Sequence, residues 1–263
     1  MPEPLLPEHY PTEPFFDARA AAGDPARIRS IAAELGYLYL RNWIPAPRLE
    51  AVRAFVRSFA LAHEWIEPAE GNPPVLLART GVGLAGRGWD DPAWIELQQR
   101  LSGVPEFTAL IECREIVGVL EAVYGEPAAV ATANHCWIKL PGSPEFTTRP
   151  HRDSFYLPTC ERMWTVWVPL SDTPLEVGPL GVIAGSHRTG LWPQRDAMAG
   201  IAVPRNVTWA TAAVEPGDAV FFGPDTIHCA WSNVSAHQVR VSLDLRYEPA
   251  SAIGSILRPG RRE

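Results

Sequence analysis

Apolar residues in the first part of the chain recur every three or four positions, the spacing that gives a helix one buried face. Ile28, Ile31, Ala32 and Leu35 form such a stripe. Asp24-Pro25 ahead of it supplies a capping carboxylate and a proline preset for the first helical position, and Gly36 behind it supplies a stop. Residues 37 to 44, YLYLRNWI, switch to a strand-like run. A second helix starts near Pro47 and carries Leu49, Val52, Phe55, Val56 and Phe59 on one side, and Asp91-Pro92 opens a third. Pro105 to Tyr124 reads as a fourth, with Leu110, Cys113, Val117, Leu120 and Tyr124 as its stripe and Gly125 as its end.

Beyond residue 125 the texture changes to short strands, with Pro, Gly, Ser and Asp filling the gaps between them. Ala128 to Leu140, Met163 to Leu170, Gly181 to Ala184, Ala219 to Phe222 and Val239 to Tyr247 all read this way. Many short strands broken by turns predict a sandwich or barrel. The expected architecture is mainly β, preceded by helices that cover one sheet. No repeat and no flexible linker interrupts the chain. Residues 1–263 therefore read as one domain, with helical support to 125, a β core over 126–250 and a tail over 251–263.

Composition narrows the setting. Hydrophobic residues make up 46% of the 263, enough for a large core, and the formal net charge is -7. A nucleic-acid face needs clustered Lys and Arg. The one dense basic run, Arg258 to Arg262, reads as a solvated tail. Cys113, Cys136, Cys160 and Cys229 form no CxxC pair and read as reduced thiols. The opening MPEPLLPEHYPTEPFF lacks the basic and apolar regions of a signal peptide. No apolar run reaches the roughly 18 residues of a membrane span. The expectation is a cytoplasmic monomer or homodimer that binds neither nucleic acid nor membrane.

His151-Arg152-Asp153 carries the first candidate chemistry. Residues two apart in an extended chain point to the same side, so His151 and Asp153 can face one cavity. An imidazole and a carboxylate together suit a divalent transition metal, and His228, just beyond the strand-like Asp218 to Phe222, is the candidate third ligand. Two histidines and one carboxylate leave the other metal positions open, as Fe(II) needs if it is to take a co-substrate and O2. An HxD triplet is also what an ordinary His–Asp hydrogen bond looks like, so the triplet alone does not decide. Arg240-Val241-Ser242 follows His228 by 12 residues in the largely apolar VRVSLDLRY. A buried Arg needs an anionic partner. Its fork can hold a carboxylate with two bonds, and the Ser hydroxyl can add another. The partner is either a dicarboxylate co-substrate or a core carboxylate such as Asp244 or Asp172.

Four stretches now stand in the order and spacing of one family: HRDSFY (His151 to Tyr156), GPLGVIAGSHRTG (Gly178 to Gly190), EPGDAVFFGPDTIH (Glu215 to His228) and RVSLDLRY (Arg240 to Tyr247). Over its C-terminal half the chain resembles the phytanoyl-CoA dioxygenase-like family of Fe(II)/2-oxoglutarate-dependent oxygenases. The resemblance implies a double-stranded β-helix, a cupin-like jelly roll, with the helical portion packed on its major sheet. It implies that His151, Asp153 and His228 bind Fe(II), and that Arg240 and Ser242 hold the distal carboxylate of 2-oxoglutarate. It assigns Thr165 a place against the co-substrate and offers Asn134, His135 and Lys139 as a further contact, His135 first. His187 in Gly185-Ser186-His187 is implied to be structural.

The same resemblance implies O2-dependent oxidation of a small molecule, with succinate and CO2 released. Hydroxylation of an unactivated C–H leads. Epimerisation, desaturation or cyclisation by the same cofactors is the alternative, and secondary metabolism, including antibiotic biosynthesis, is the expected setting. Halogenases of this broad class lack the metal carboxylate, whereas Asp153 is present. Trp164, Trp167, Trp231, Phe155 and Tyr156 flank the candidate site, and Phe155, Tyr156 and Trp231 are candidate substrate walls or simply core. The loop Arg79 to Arg87 reads as a lid, a surface loop or an anion contact through Arg79 or Arg87. A zinc hydrolase on the same ligands and a non-catalytic cupin-like binding protein are the competing readings. Arg240-Ser242 argues against the first, and the intact triad and anchor together argue against the second.

Overall fold

A computed structural model describes residues 4–80, 91–132, 134–142, 147–157, 161–189, 193 and 200–253. The loop beyond Thr80, Cys160 and the basic tail lie outside these residues. The helices are α1 (Pro25–Leu35), α2 (Ala46–Ala62), α3 (Pro92–Ser102), α4 (Pro105–Ile111), α5 (Arg114–Tyr124) and the short α6 (Asp153–Tyr156). The strands before residue 150 are β1 (Thr12–Glu13), β2 (Tyr37–Leu40), β3 (Leu76–Leu77), β4 (Ala128–Val130) and β5 (His135–Lys139). Those after it are β6 (Trp164–Pro169), β7 (Leu180–Val182), β8 (Trp209–Thr211), β9 (Ala219–Phe222), β10 (His228–Ala230) and β11 (Gln238–Pro249).

Two sheets face each other in a jelly roll. The smaller runs β1-β8-β7-β10. The larger runs β2-β9-β6-β11, and the far edge of β11 is shared in turn by β3, β5 and β4. Val241, Leu243, Leu245 and Tyr247 of β11 lie in one core with α1, α2, α4 and α5, so the helical half covers the outer face of the larger sheet. Burial of that apolar surface is what holds helices and sheet together. Trp167, Val220, Phe222, Tyr37 and Tyr39 pack against Leu180, Val182 and Ala210 between the sheets.

The caps fall where the sequence puts them. Asp24 accepts from the amides of Ala26 and Arg27, Asp91 from those of Ala93 and Trp94, and Gly36 and Gly125 close their helices in the left-handed conformation. Three boundaries differ. The strand at Tyr37 ends at Leu40, because Asn42 turns at a φ of 47° and its amide donates to Asp218. The helix predicted over Pro105 to Tyr124 breaks at Cys113, whose backbone is extended. Each piece buries its own stripe, Phe107-Leu110-Ile111 and Ile116-Val119-Leu120. Apolar spacing continues across the break, so the pattern hides it. The strand predicted over Ala128 to Leu140 is two, β4 and β5, each paired with a different part of β11.

Gly178 shows how tightly the sheets constrain one backbone position. Its φ is 79°, a Cβ there would run into the Trp231 and Ser232 backbone, and its carbonyl accepts from Arg240 Nη1 at 2.7 Å. The left-handed conformation alone costs a non-glycine residue about 1–2 kcal/mol, and the backbone collision adds to it. Gly178→Ala is expected to lower the melting temperature by at least about 4 °C, at roughly 2–4 °C per kcal/mol for a chain of this size. A thermal melt within a degree of the parent would contradict this account.

Candidate metal centre

The backbone brings the two histidines together. His151 and His228 form an isolated antiparallel bridge in which each amide donates to the other's carbonyl, at 2.9 and 3.0 Å. Their ring centroids are 4.1 Å apart. His151 Nδ1 contacts the Arg149 carbonyl at 2.8 Å, and His228 Nδ1 contacts the Thr226 carbonyl at 3.0 Å. A carbonyl oxygen can only accept, so both Nδ1 atoms carry the proton and both Nε2 atoms are left as lone-pair donors. Burial, reinforced by His151, pushes the His228 imidazole down to about 3, which keeps it neutral.

Those two Nε2 atoms lie 3.6 and 3.7 Å from Asp153 Oδ1. Asp153 opens α6 rather than lying in a strand, which corrects the alternation argument. Arg152 between the ligands is extended, so His151 and Asp153 still turn to one side. All three ligands are buried, and their candidate ligand atoms lie within 4.8 Å of one another. Burial alone would raise the Asp153 carboxyl. The Arg246 guanidinium outweighs it and holds the group well below the usual carboxylate range. Two imidazole nitrogens and one carboxylate oxygen, buried and with tautomers already set, fit a six-coordinate Fe(II) with open positions.

A polar ladder on the inner face of the larger sheet leads away from this cluster. Along β11, Arg240, Ser242, Asp244 and Arg246 alternate onto that face. Lys139, Trp137 and His135 stand opposite the first three on β5, and Thr165 stands opposite Arg246 on β6. Arg240 is 2% exposed and Ser242 0%. Among the described residues no carboxylate pairs with Arg240, and neither its Nε nor Ser242 Oγ has a hydrogen-bond partner. Asp172 and Asp244 are therefore not its ion-pair partners. Burial lowers Arg240 to about 10, which leaves it charged at neutral pH. Such orphaned donors are costly in isolation and fit a ligand carboxylate. Lys139 is half-buried, donates to Thr148 Oγ1 at 2.9 Å, and is pushed well down by desolvation and by Arg240.

The remaining predicted residues divide. Thr165 is at the site, but its hydroxyl donates to Asp153 Oδ2 at 2.6 Å. His135 pairs with Arg246, its Nδ1 lying 3.1 Å from Arg246 Nη1. Tyr156 is half-exposed with its ring edge-on to His151 at 5.4 Å, and Phe155 stands edge-on to Tyr156 at 5.3 Å. Trp231 is no substrate wall. It is fully buried in a separate core with Trp209, and its indole donates to Thr211. Arg79 is held by Glu64, and β3 leads it past Gln238, the end of β11 remote from Arg246. His187 contacts the Ala33 carbonyl at 3.0 Å beside Gly36, in a structural role. Sequence reasoning missed Arg246, whose Nε is 3.7 Å from Asp153 Oδ2. The signal was present, because Arg246 continues the Arg240-Ser242-Asp244 alternation.

Fold and site together define a jelly-roll protein with a buried two-histidine, one-carboxylate centre. The chain belongs to the phytanoyl-CoA dioxygenase family, whose model matches residues 33–242. This is an oxygenase family of the Fe(II)/2-oxoglutarate type, and the donor set and the orphaned Arg240-Ser242 pair fit both cofactors. The chain is 32% identical over 154 residues to a 1-deoxypentalenic acid 11-beta-hydroxylase of Streptomyces exfoliatus, a match covering 51% of this chain and 54% of that protein. The chain thus aligns with about half the length of that relative. The fold is shared with the epimerase SnoN from nogalamycin biosynthesis, solved with Fe3+, alpha ketoglutarate and nogalamycin RO, at a TM-score of 0.63, 23% identity and 92% coverage of both chains. The carbocyclase SnoK of the same biosynthesis matches at a TM-score of 0.60 and 22% identity, over 90% of this chain and 87% of that one.

His135 supplies a pH test. Burial, with Arg246 adding to it, pushes its imidazole down to about 4. An unfolded histidine protonates near pH 6.5, so between about pH 6.5 and 4 the unfolded state takes up a proton that the folded one refuses. Native stability therefore falls as pH drops through that window. In metal-free protein the urea midpoint of His135→Asn should decline less steeply than that of the parent from pH 6.5 to 4. Parallel declines would contradict the assignment.

Proposed function

We propose that this chain is an Fe(II)/2-oxoglutarate-dependent oxygenase that hydroxylates an unactivated C–H of a small molecule in secondary metabolism. The observation that carries the reading is the pairing of the buried His151-Asp153-His228 cluster with a buried Arg240-Ser242 pair whose Nε and Oγ donors have no acceptor among the described residues. A zinc hydrolase has no use for the second feature. The relative named as a hydroxylase supports hydroxylation. Neighbours named as an epimerase and a carbocyclase share the fold, so those outcomes stand as the alternative reading.

In this reading His151, Asp153 and His228 hold Fe(II), and Arg240 and Ser242 hold the distal carboxylate of 2-oxoglutarate. The bound pair supplies, with O2, the oxidising power for C–H cleavage, and 2-oxoglutarate leaves as succinate and CO2. The protein's own residues do the positioning. The Arg149 and Thr226 carbonyls fix the ligand tautomers. Arg240, itself braced by the Gly178 carbonyl, sets the depth at which the dicarboxylate lies. Phe155 and Tyr156 form an aromatic rim beside His151 against which an apolar substrate can lie. The chain acts as one oxygenase domain, a role supported by the core that α1, α2, α4 and α5 share with β11. A cytoplasmic setting accords with the free thiols of Cys113, Cys136 and Cys229. No helix among the described residues is long and apolar enough to cross a membrane.

Anaerobic addition of Fe(II) and 2-oxoglutarate should produce the weak visible charge-transfer band of the chelate. Metal-loaded protein without that band would sink the proposal. His228→Ala is expected to abolish succinate formation. Arg240→Ala removes a charged hydrogen-bonding group worth about 1.5–3 kcal/mol, so the 2-oxoglutarate half-saturation should rise about 10–100-fold. An unchanged requirement would remove Arg240 from the anchor. Product mass then separates the outcomes: one oxygen gained for hydroxylation, two hydrogens lost for desaturation or ring closure, no change for epimerisation.

A further inference from the structure

The two oxygens of Asp153 have different surroundings. Oδ1 faces the free Nε2 atoms of His151 and His228 at 3.6 and 3.7 Å. Oδ2 faces away from them. It accepts from Thr165 Oγ1 at 2.6 Å and lies 3.7 Å from Arg246 Nε. Arg246 is itself fixed. Its amide donates to Asn134 Oδ1 at 2.8 Å, and its Nη1 lies 3.1 Å from His135 Nδ1. Arginine has only donors, so that nitrogen of His135 is unprotonated. The His135 ring lies 5.5 Å from that of Trp94 on α3, which links the helical half to the carboxylate.

We infer that Thr165 and Arg246 clamp Asp153 Oδ2 and reserve Oδ1 as the single metal-binding oxygen, which makes both of them positioning residues of the metal centre. The inference rests on the reading of His151, Asp153 and His228 as metal ligands. Its consequence is a count of open positions. A carboxylate free to rotate can bind through both oxygens and fill two positions. Six-coordinate iron with three protein ligand atoms keeps three open, two for a chelating co-substrate and one for O2. A doubly bound Asp153 would leave one too few. Hydrogen bonds that orient metal ligands in this way typically matter by 10–100-fold in metal affinity.

The two clamp residues differ in charge, and that decides which variant tests what. Thr165 is neutral, so Thr165→Val removes the bond with almost no change of volume and no change of charge. Arg246 carries a positive charge that also repels a dication, so the affinity changes of Arg246→Gln partly cancel. Its informative readout is the ligand field of the bound metal. Co(II) serves as the probe, added to the metal-free protein without co-substrate or O2, with affinity read by titration and geometry by the visible d–d spectrum. Thr165→Val should weaken Co(II) binding about 10–100-fold, and Thr165→Ser, which restores the hydroxyl, should bind within threefold of the parent. Thr165→Val and Arg246→Gln should shift the d–d bands in the same direction.

If Thr165→Val binds Co(II) as tightly as the parent, with an unchanged spectrum, the clamp is overturned and Thr165 is merely structural. A parent protein that takes up no Co(II) overturns the metal site and the clamp with it, which separates the two failures. Should Arg246→Gln not fold, the Thr165→Val and Thr165→Ser pair decides alone.

Discussion

A carboxylate held away from water is the constraint on which this structure turns. Asp153 is 4% exposed, and an unpaired charge there would cost more than a typical domain's margin of stability. Compensation comes from separate parts of the chain. Thr165 arrives on β6 and Arg246 on β11, while a backbone bridge between the segment before α6 and β10 sets His151 and His228 against the same carboxylate. Each partner must be placed to within a fraction of an ångström. The two sheets and their register can be understood as the frame that does this.

The frame works because β11 has two unlike faces. Val241, Leu243, Leu245 and Tyr247 turn to the helices, where Tyr247 donates to the Ile111 carbonyl and its own carbonyl accepts from Tyr124. Arg240, Ser242, Asp244 and Arg246 turn inward. Arg240, Ser242 and Arg246 on that row are buried, so their polar groups call for partners within the fold or from a ligand. Arg246 finds Asp153 and His135. Asp244, whose carboxyl is raised by desolvation, accepts a hydrogen bond from the Trp137 indole N–H at 2.8 Å. The helical half is thus more than a cover. By fixing the outer face it fixes β11, and through Trp94 on α3 it reaches His135 and the clamp directly.

Much of this was legible in the sequence, for identifiable reasons. Caps and strand alternation are local, so Asp24, Gly36 and Asp91 marked their helices, and Arg240 and Ser242 marked one face of a strand. The break at Cys113 was invisible because tertiary packing, rather than a proline or glycine, makes it. Thr165 lay in the right strand, yet its partner could not be read. Whether a hydroxyl touches a co-substrate or a carboxylate twelve residues away depends on the register of β6 against β11. Trp231 misled for the opposite reason. Proximity to His228 in sequence suggested proximity to the site, whereas three residues along β10 carry the chain into the core with Trp209.

The charge pattern of the inner face bears on how the two cofactors share the site. In the proposed centre Arg246 partly offsets the Asp153 charge before iron binds, and His228 is neutral. A dication bound to such a set keeps an unmet positive charge. At the other end of the ladder Arg240 remains charged with no carboxylate paired to it among the described residues, and desolvation and Arg240 both push Lys139 opposite it downward. With iron bound in the proposed centre the face would carry positive charge at the metal and at the Arg240 end. A dicarboxylate has one negative group for each. On electrostatic grounds iron and 2-oxoglutarate complete each other's environment, and the clamp on Asp153 Oδ2 matters because it keeps the protein's own carboxylate from supplying in part what the co-substrate is needed to supply.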